Sequence, residues 1–526
     1  MAYDILIKSG SVIDGTGEPP TVADIGIKGD KIAAIGGIGE NEAGGITINA
    51  NGKYVVPGFI DITNHSDTHL TIFKYPNLES MVRQGVTTII GGNCGSSLAP
   101  LGNKNALQSI RKWADTSEIN IDWARVGEFL ARIEKLRLGA NFGTFVGYGT
   151  LRRGVIGDEA RELNIEEREK IKYLLREGIK EGAFGLSLGL AYGHERISST
   201  EEIIEIARVL ADTGGIVKIH LRSEGKGILA SINEAVLIGR GAKVPIQISH
   251  LKTVGKKSWP YLKKALELIK VAHESGVDIN FDVSPYSTTG SLLYLLIPAW
   301  ARQGGFNELF QRLDQPEERK KIIEHLKIYT FHYNRIIINS AKLTNLVGKT
   351  LAEIAETSGL PPEEALLETV RANEGRVKII GRTLSIKNTE LAIENPSSFI
   401  ASDGAGYNEE EMKSGNLVHP RSFGAFAHFW HRFVRDLKTI SPQEAIQKIT
   451  SGPAKKLKLY GRGAIRKENY ADLVVFDPQK IKDRATYRNP YQYPQGIEWV
   501  IINGQIVIEN GNFTGVRAGR ILRKLR

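Results

Sequence analysis

Between Pro57 and Leu457 the sequence carries eight short apolar runs separated by stretches of helical periodicity, and this alternation limits the possible folds more than any other feature. The runs are GFIDITNH, TTIIGGNC, ANFGTFVGYG, AFGLSLGL, GIVKIHLRS, VPIQISHLK, DINFDVSPY and SSFIASDG. Near-continuous hydrophobicity marks strands buried on both faces, as in a parallel sheet covered by helices such as IEEREKIKYLLREGIKEG. Eight such units point to an α/β chain closed into a (β/α)8 barrel, or TIM barrel. The stretch from about 291 to 349 fits the alternation poorly and reads as an insertion over the barrel mouth.

The flanks are different. Residues 1–57 and 458–526 read as short strands of alternating apolar and polar residues between Gly, Asp and Asn turns. Each flank is too small for its own core, so the two are expected to pair as one composite β-sandwich domain beside a barrel at 58–457. A length of 526 residues alone would allow about three independent domains.

Composition narrows the function. No uninterrupted apolar run reaches about 18 residues, so no membrane partner is expected. The formal net charge is +10, but Arg517, Arg520, Arg523, Lys524 and Arg526 supply half of it. The other charges are mixed in sign, so no nucleic-acid partner is indicated. The single cysteine, Cys94, excludes an internal disulfide, and MAYDILIKSG has no secretion pattern; the expected location is cytoplasmic. The pattern selects neither monomer nor homo-oligomer.

Polar residues stand where the apolar runs end: Asp61 and His65, Cys94, His220, His250, Asp282 and Asp403. In a parallel barrel these ends converge on one face, where such folds place their chemistry. A lone strand histidine is usually a hydrogen-bonded core residue. His220 and His250, at matched positions on adjacent strands, instead suit one divalent metal. Cys94 as a thiolate would complete a Cys-His-His zinc site with a fourth position open to water. Its neighbours Gly91, Gly92 and Gly95 suggest close backbone approach. Asp403, in FIASDGAG, is placed to act as general base toward the attacking water.

These residues, with VVPGFID, GVTTIIGGNCGSSLAP, FGLSLGLAYGHERISSTEEI, FDVSPYS, HPRSFGAF and ADLVVFDP, give the chain its resemblance to the N-acyl-D-amino-acid deacylases (D-aminoacylases) of the amidohydrolase superfamily. The resemblance runs through nearly the whole chain. It implies a distorted barrel, a small β-sandwich and zinc-dependent hydrolysis of the acyl amide of a small N-acyl-D-amino acid. It also implies that Cys94, His220 and His250 hold the zinc and that Asp403 is the catalytic base. Lys252, Tyr192, Tyr286, Ser291 and Arg421 then surround the substrate, with Arg421 as the carboxylate clamp.

Two departures stand out. Superfamily members usually carry His-x-His after the first strand, whereas this chain reads GFIDITNHSD, with Thr63 in place of the first histidine. A threonine hydroxyl is a far weaker zinc ligand than imidazole. One zinc per chain is therefore expected, with His65 as a weak metal ligand or site-lining residue and His69 as a less favoured substitute. The loop from Asp403 to Arg421, with Glu409, Glu410 and Glu411, is longer than the resemblance leads one to expect.

One alternative is a cyclic-amide hydrolase like hydantoinase or dihydroorotase, which would want an intact His-x-His and a lysine on the fourth strand. Another is a catalytically impaired barrel acting as a binding protein, suggested by Thr63 alone. Leu292, Leu293, Leu295, Leu296 and Trp300 could form an apolar side-chain pocket, or pack on the barrel. An acidic substrate would want a further cation, with Lys252 or Arg222 as candidates.

Overall fold

In the computed structural model, which describes residues 3–39, 44–329 and 331–525, each of the eight apolar runs contains a parallel strand. They are Phe59–Asp61, Val86–Gly91, Asn141–Thr144 continued by Val146–Gly147, Gly185–Gly189, Ile216–His220, Ile246–Ile248, Ile279–Val283 and Ser398–Ile400. The third strand is interrupted at Phe145, so hydrogen bonding divides the ring into a three-stranded and a six-stranded sheet. The first and last strands meet through a parallel bridge between Asn64 and Gly404. There the Asp403 amide donates to the Thr63 carbonyl at 3.0 Å and the His65 amide to the Gly404 carbonyl at 2.7 Å. The result is a distorted (β/α)8 barrel whose strand ends carry the polar residues singled out above.

Local sequence explains the surrounding helices. The helix Ile165–Lys180 begins where Asn164 accepts from the Glu167 amide, and it buries Ile171, Leu175 and Ile179 at helical spacing. Loss of such a cap costs about 1 kcal/mol.

Strands from the two ends of the sequence share one nine-stranded sheet. Leu473–Phe476 lies between Tyr54–Pro57 and Ile497–Ile502, antiparallel to both. Alternation along these strands sends Val55, Leu473 and Val475 into a separate apolar cluster with Ile5, Ile7, Ile25 and Ile27. Their neighbours Val56 and Val474 turn toward the barrel core.

A second, smaller antiparallel sheet covers the barrel mouth, in the order Thr289–Leu292, Val377–Gly381, Ile336–Ala341. The module therefore continues past position 349 to Gly381. Its later half repeats the barrel's own rhythm, with helices Leu351–Ser358 and Pro362–Ala372 followed by an apolar strand, so periodicity could not separate it from the barrel. Leu292 and Leu293 are buried in the module's core, while Trp300 is exposed. Among the described residues no helix is long and apolar enough to cross a membrane.

Candidate functional site

The turn after the second strand sets the position of Cys94. Gly92 lies there at φ +70°, and a Cβ on it would collide with the Phe145 carbonyl oxygen. Its amide donates to the Asp67 carboxylate at 2.6 Å. Cys94, His250 and Asp403 all have left-handed backbones, with φ of 54°, 37° and 52°. Non-glycine residues held this way cost of order 1–3 kcal/mol each and cluster where function demands a particular side-chain direction. Three strand ends are strained toward one point.

At that point the ligand atoms of Cys94, His220 and His250 all lie within 4.8 Å of one another, and all three residues are buried. Cys94 Sγ is 3.3 Å from His250 Nε2, and the His220 and His250 rings meet edge to face at 4.6 Å. Burial alone would raise the thiol's pKa. The charge of His250 and hydrogen bonds from His220, His250 and His65 instead hold it well below its ordinary value. The donors suit a divalent metal: a sulfur already inclined to thiolate, a His220 Nδ1 that is buried with no hydrogen-bond partner, and an oriented His250. Glu224 Oε1 lies 3.1 Å from His250 Nδ1, the carboxylate–imidazole support typical of metal-bound histidine.

Beside this group Asp403 is buried between two cations. Its Oδ1 lies 3.1 Å from His65 Nε2, and its Oδ2 accepts from Arg421 Nη1 at 2.6 Å. Burial would raise its pKa, but Arg421, His250 and His65 hold the carboxyl well below the usual carboxylate range. His65 thus sits between Asp403 and Cys94, hydrogen-bonded to both. His69 turns away, its Nδ1 3.3 Å from the Tyr407 hydroxyl.

The corner under Thr63 holds a cation of its own. Lys218, two residues before His220 on the fifth strand, is completely buried. Its ammonium donates to the Ile62 carbonyl and, at 2.6 Å, to Thr63 Oγ1. Asp282 lies 3.8 Å away and accepts from the Thr63 hydroxyl at 2.8 Å and the His250 amide at 2.8 Å. A hydroxyl and a lysine are poor company for a second metal.

Of the residues expected around the substrate, the Tyr192 ring lies 5.1 Å from that of His220, and Tyr286, Lys252 and Arg421 line one cleft with His250 and Asp403. Tyr286 stacks on His428 at 4.4 Å. Behind it His428 and His431 point Nδ1 at Asp483, 3.1 and 2.9 Å away, forming a second group with metal-ligand spacing. Lys252 is bound to Glu224 at 2.5 Å. Arg222 is gripped by Glu234 and by the Arg196 and Ser198 carbonyls. Ser291 pairs with Ile379, and strand alternation turns it to the opposite face from Gly290, where a Cβ would meet Arg421 Nη2 at 3.0 Å. Lys218 and Glu224 were missed in the sequence. A lysine inside an apolar strand and a glutamate four residues after a metal-type histidine were the signals available.

A barrel whose strand ends gather a thiol, two imidazoles and a buried carboxylate has the make-up of a metal-dependent hydrolase. Residues 349–508 match the Amidohydrolase family. The chain is 31% identical to the D-aminoacylase of Alcaligenes xylosoxydans xylosoxydans, over 99% of this chain and 98% of that one. It superposes on a solved D-aminoacylase with a TM-score of 0.84 at 31% identity, covering 99% of this chain and 100% of that one. It also matches the N-acyl-D-glutamate deacylase of Bordetella bronchiseptica, solved with zinc and a phosphonate inhibitor, at TM-score 0.83 and 28% identity, again over 99% and 100%. The chain belongs to the amidohydrolase family, in the group of D-aminoacylases and related deacylases.

Proposed function

We propose that the chain is a zinc-dependent hydrolase that cleaves the acyl amide of N-acyl-D-amino acids to a carboxylate and a free D-amino acid. The carrying observation is the convergence of Cys94, His220 and His250, with His250 lining one cleft together with Asp403 and Arg421. Those first three residues would hold a single zinc, because Thr63 and Lys218 occupy the corner where a second would need an imidazole. When bound, the zinc supplies Lewis acidity toward the acyl carbonyl and the attacking water.

The chain's own groups do the rest. Arg421 exchanges Asp403 for the substrate's α-carboxylate, which a guanidinium can grip bidentately. That exchange frees Asp403 Oδ2 to accept a proton from the attacking water and pass it to the leaving nitrogen. Tyr192, Tyr286 and Lys252 border the bound substrate, whereas Ser291 faces away from it. His65 keeps Asp403 oriented through its other oxygen. The fourth strand, GLSLG, has no lysine, which argues against a hydantoinase-like site. The presence of all four central residues argues against an impaired barrel.

The test is a panel of N-acetyl-D- and N-acetyl-L-amino acids with zinc-loaded protein, read as acetate release. The D-enantiomers should be cleaved roughly 100-fold faster or more. Zinc-loaded protein that leaves a broad D-panel intact would overturn the reading.

A further inference from the structure

On the module side of the cleft, one charged group has no counterpart among the described residues. The module sheet has two faces. Ile336, Ile338, Val377 and Ile379 turn to one face and join an apolar cluster that also takes in Cys94 and Tyr192. The other face carries Gly290 and its partner Ile380. Gly290 shows where this face looks, because a Cβ there would lie 3.0 Å from the Arg421 guanidinium. Lys378, two residues from Ile380 on the same strand and paired with the buried Leu292, shares that face, roughly 7 Å further along.

Among the described residues, Lys378 makes no hydrogen bond or ion pair, although it is only partly exposed. The two cations considered for this role are engaged, Lys252 by Glu224 and Arg222 by Glu234, and the buried Lys218 is held by Thr63 and the Ile62 carbonyl. Glu411, the acid whose charge bears on Lys378, is held by Lys74 at 3.0 Å and the Tyr75 hydroxyl at 2.8 Å. Burial without a partner pulls the Lys378 ammonium down to about 8, and its charge is felt at His69 on the barrel side. A lysine kept in this setting is costly unless an anion completes it.

We infer that Lys378 forms a subsite for the side-chain carboxylate of the substrate, so that the preferred substrates are N-acyl derivatives of acidic D-amino acids. This rests on the deacylase reading above and specifies its substrate class. Arg421 takes the α-carboxylate from the barrel wall and Lys378 the side-chain carboxylate from the module wall.

The experiment compares N-acetyl-D-glutamate with its neutral isostere N-acetyl-D-glutamine, by calorimetric Kd and by kcat/KM, on full-length zinc-loaded protein. The glutamate derivative is expected to win by at least about tenfold in both. Lys378→Met should collapse the ratio toward one, mainly through KM, and Lys378→Arg should retain it. Equal affinities in the unmodified protein, or a ratio unmoved by Lys378→Met in a variant with unchanged circular dichroism, would overturn the assignment. Preferential binding of the glutamate derivative with no acetate released from any D-substrate would overturn the deacylase reading and leave the acidic subsite standing.

Discussion

On the barrel wall of the cleft, Lys218, Arg222, Lys252 and the Asp403–Arg421 pair all have partners, whereas the module wall presents Lys378 with none. The barrel wall is stiff: its side chains rise from strand ends inside a closed ring, three of them on left-handed backbones. The module wall is a three-stranded sheet backed by an apolar cluster that reaches Cys94 and Tyr192. A rigid wall of paired side chains keeps reacting groups in place for any substrate that reaches them. A wall with an unmet charge discriminates among substrates. The difference assigns chemistry to one region and choice to the other.

The comparison can be broken most forcefully at Cys94. Cys94→Ala should remove the bound zinc, measured by elemental analysis, and lower kcat/KM by more than roughly 100-fold for N-acetyl-D-glutamate and N-acetyl-D-glutamine alike. A change in the ratio between the two would mean that the barrel wall also selects. Next in size is Lys218→Met, which removes the cation from a buried cluster holding Asp282. It should cost about 3–5 kcal/mol in chemical denaturation, with zinc still near one per chain. An undiminished stability would show that the corner under Thr63 is not held together by charge.

The smallest effect concerns pH. The groups whose charges bear on Lys378 or feel it are Glu411, from the loop before Arg421, and His69, from the segment after the first strand. Its pKa is lowered from 10.5 to about 8 by burial, which Glu411 only partly offsets. Below that value Lys378 is charged, and above it neutral. The preference for the glutamate over the glutamine derivative should therefore be greatest below pH 8 and decline as pH rises through it. A flat ratio from pH 6 to 9.5 would remove Lys378 from the selecting wall.

Much of the barrel wall was readable from the residues. Period and hydrophobicity mark the eight strands because a strand buried on both faces has little freedom in composition. The polar residues at their ends follow from where a barrel puts its open face. Lys218 escaped because an apolar run containing one lysine looks like a strand with a surface residue, and only the fold shows that both sides are covered. The module was harder still. Its strand Val377–Gly381 is nearly as apolar as a barrel strand, so nothing in the residues marked Lys378 until register placed it on the face with Gly290. The pairing of Arg421 with Asp403 was equally hidden, since the loop between them has no periodicity to fix its path.

The nine-stranded sheet sets a schedule for synthesis. Tyr54–Pro57 is made early, but the strand that covers its far edge, Leu473–Phe476, follows only after the whole barrel has been translated. At about 5–20 residues per second this takes roughly 20 to 80 s. Throughout that time a short edge bearing Val55 and Val56 is open to pairing with other nascent chains. Crowded polysomes would punish slow translation of the barrel, and a chaperone that shields this edge should raise the yield of folded protein more than one that acts on the finished chain.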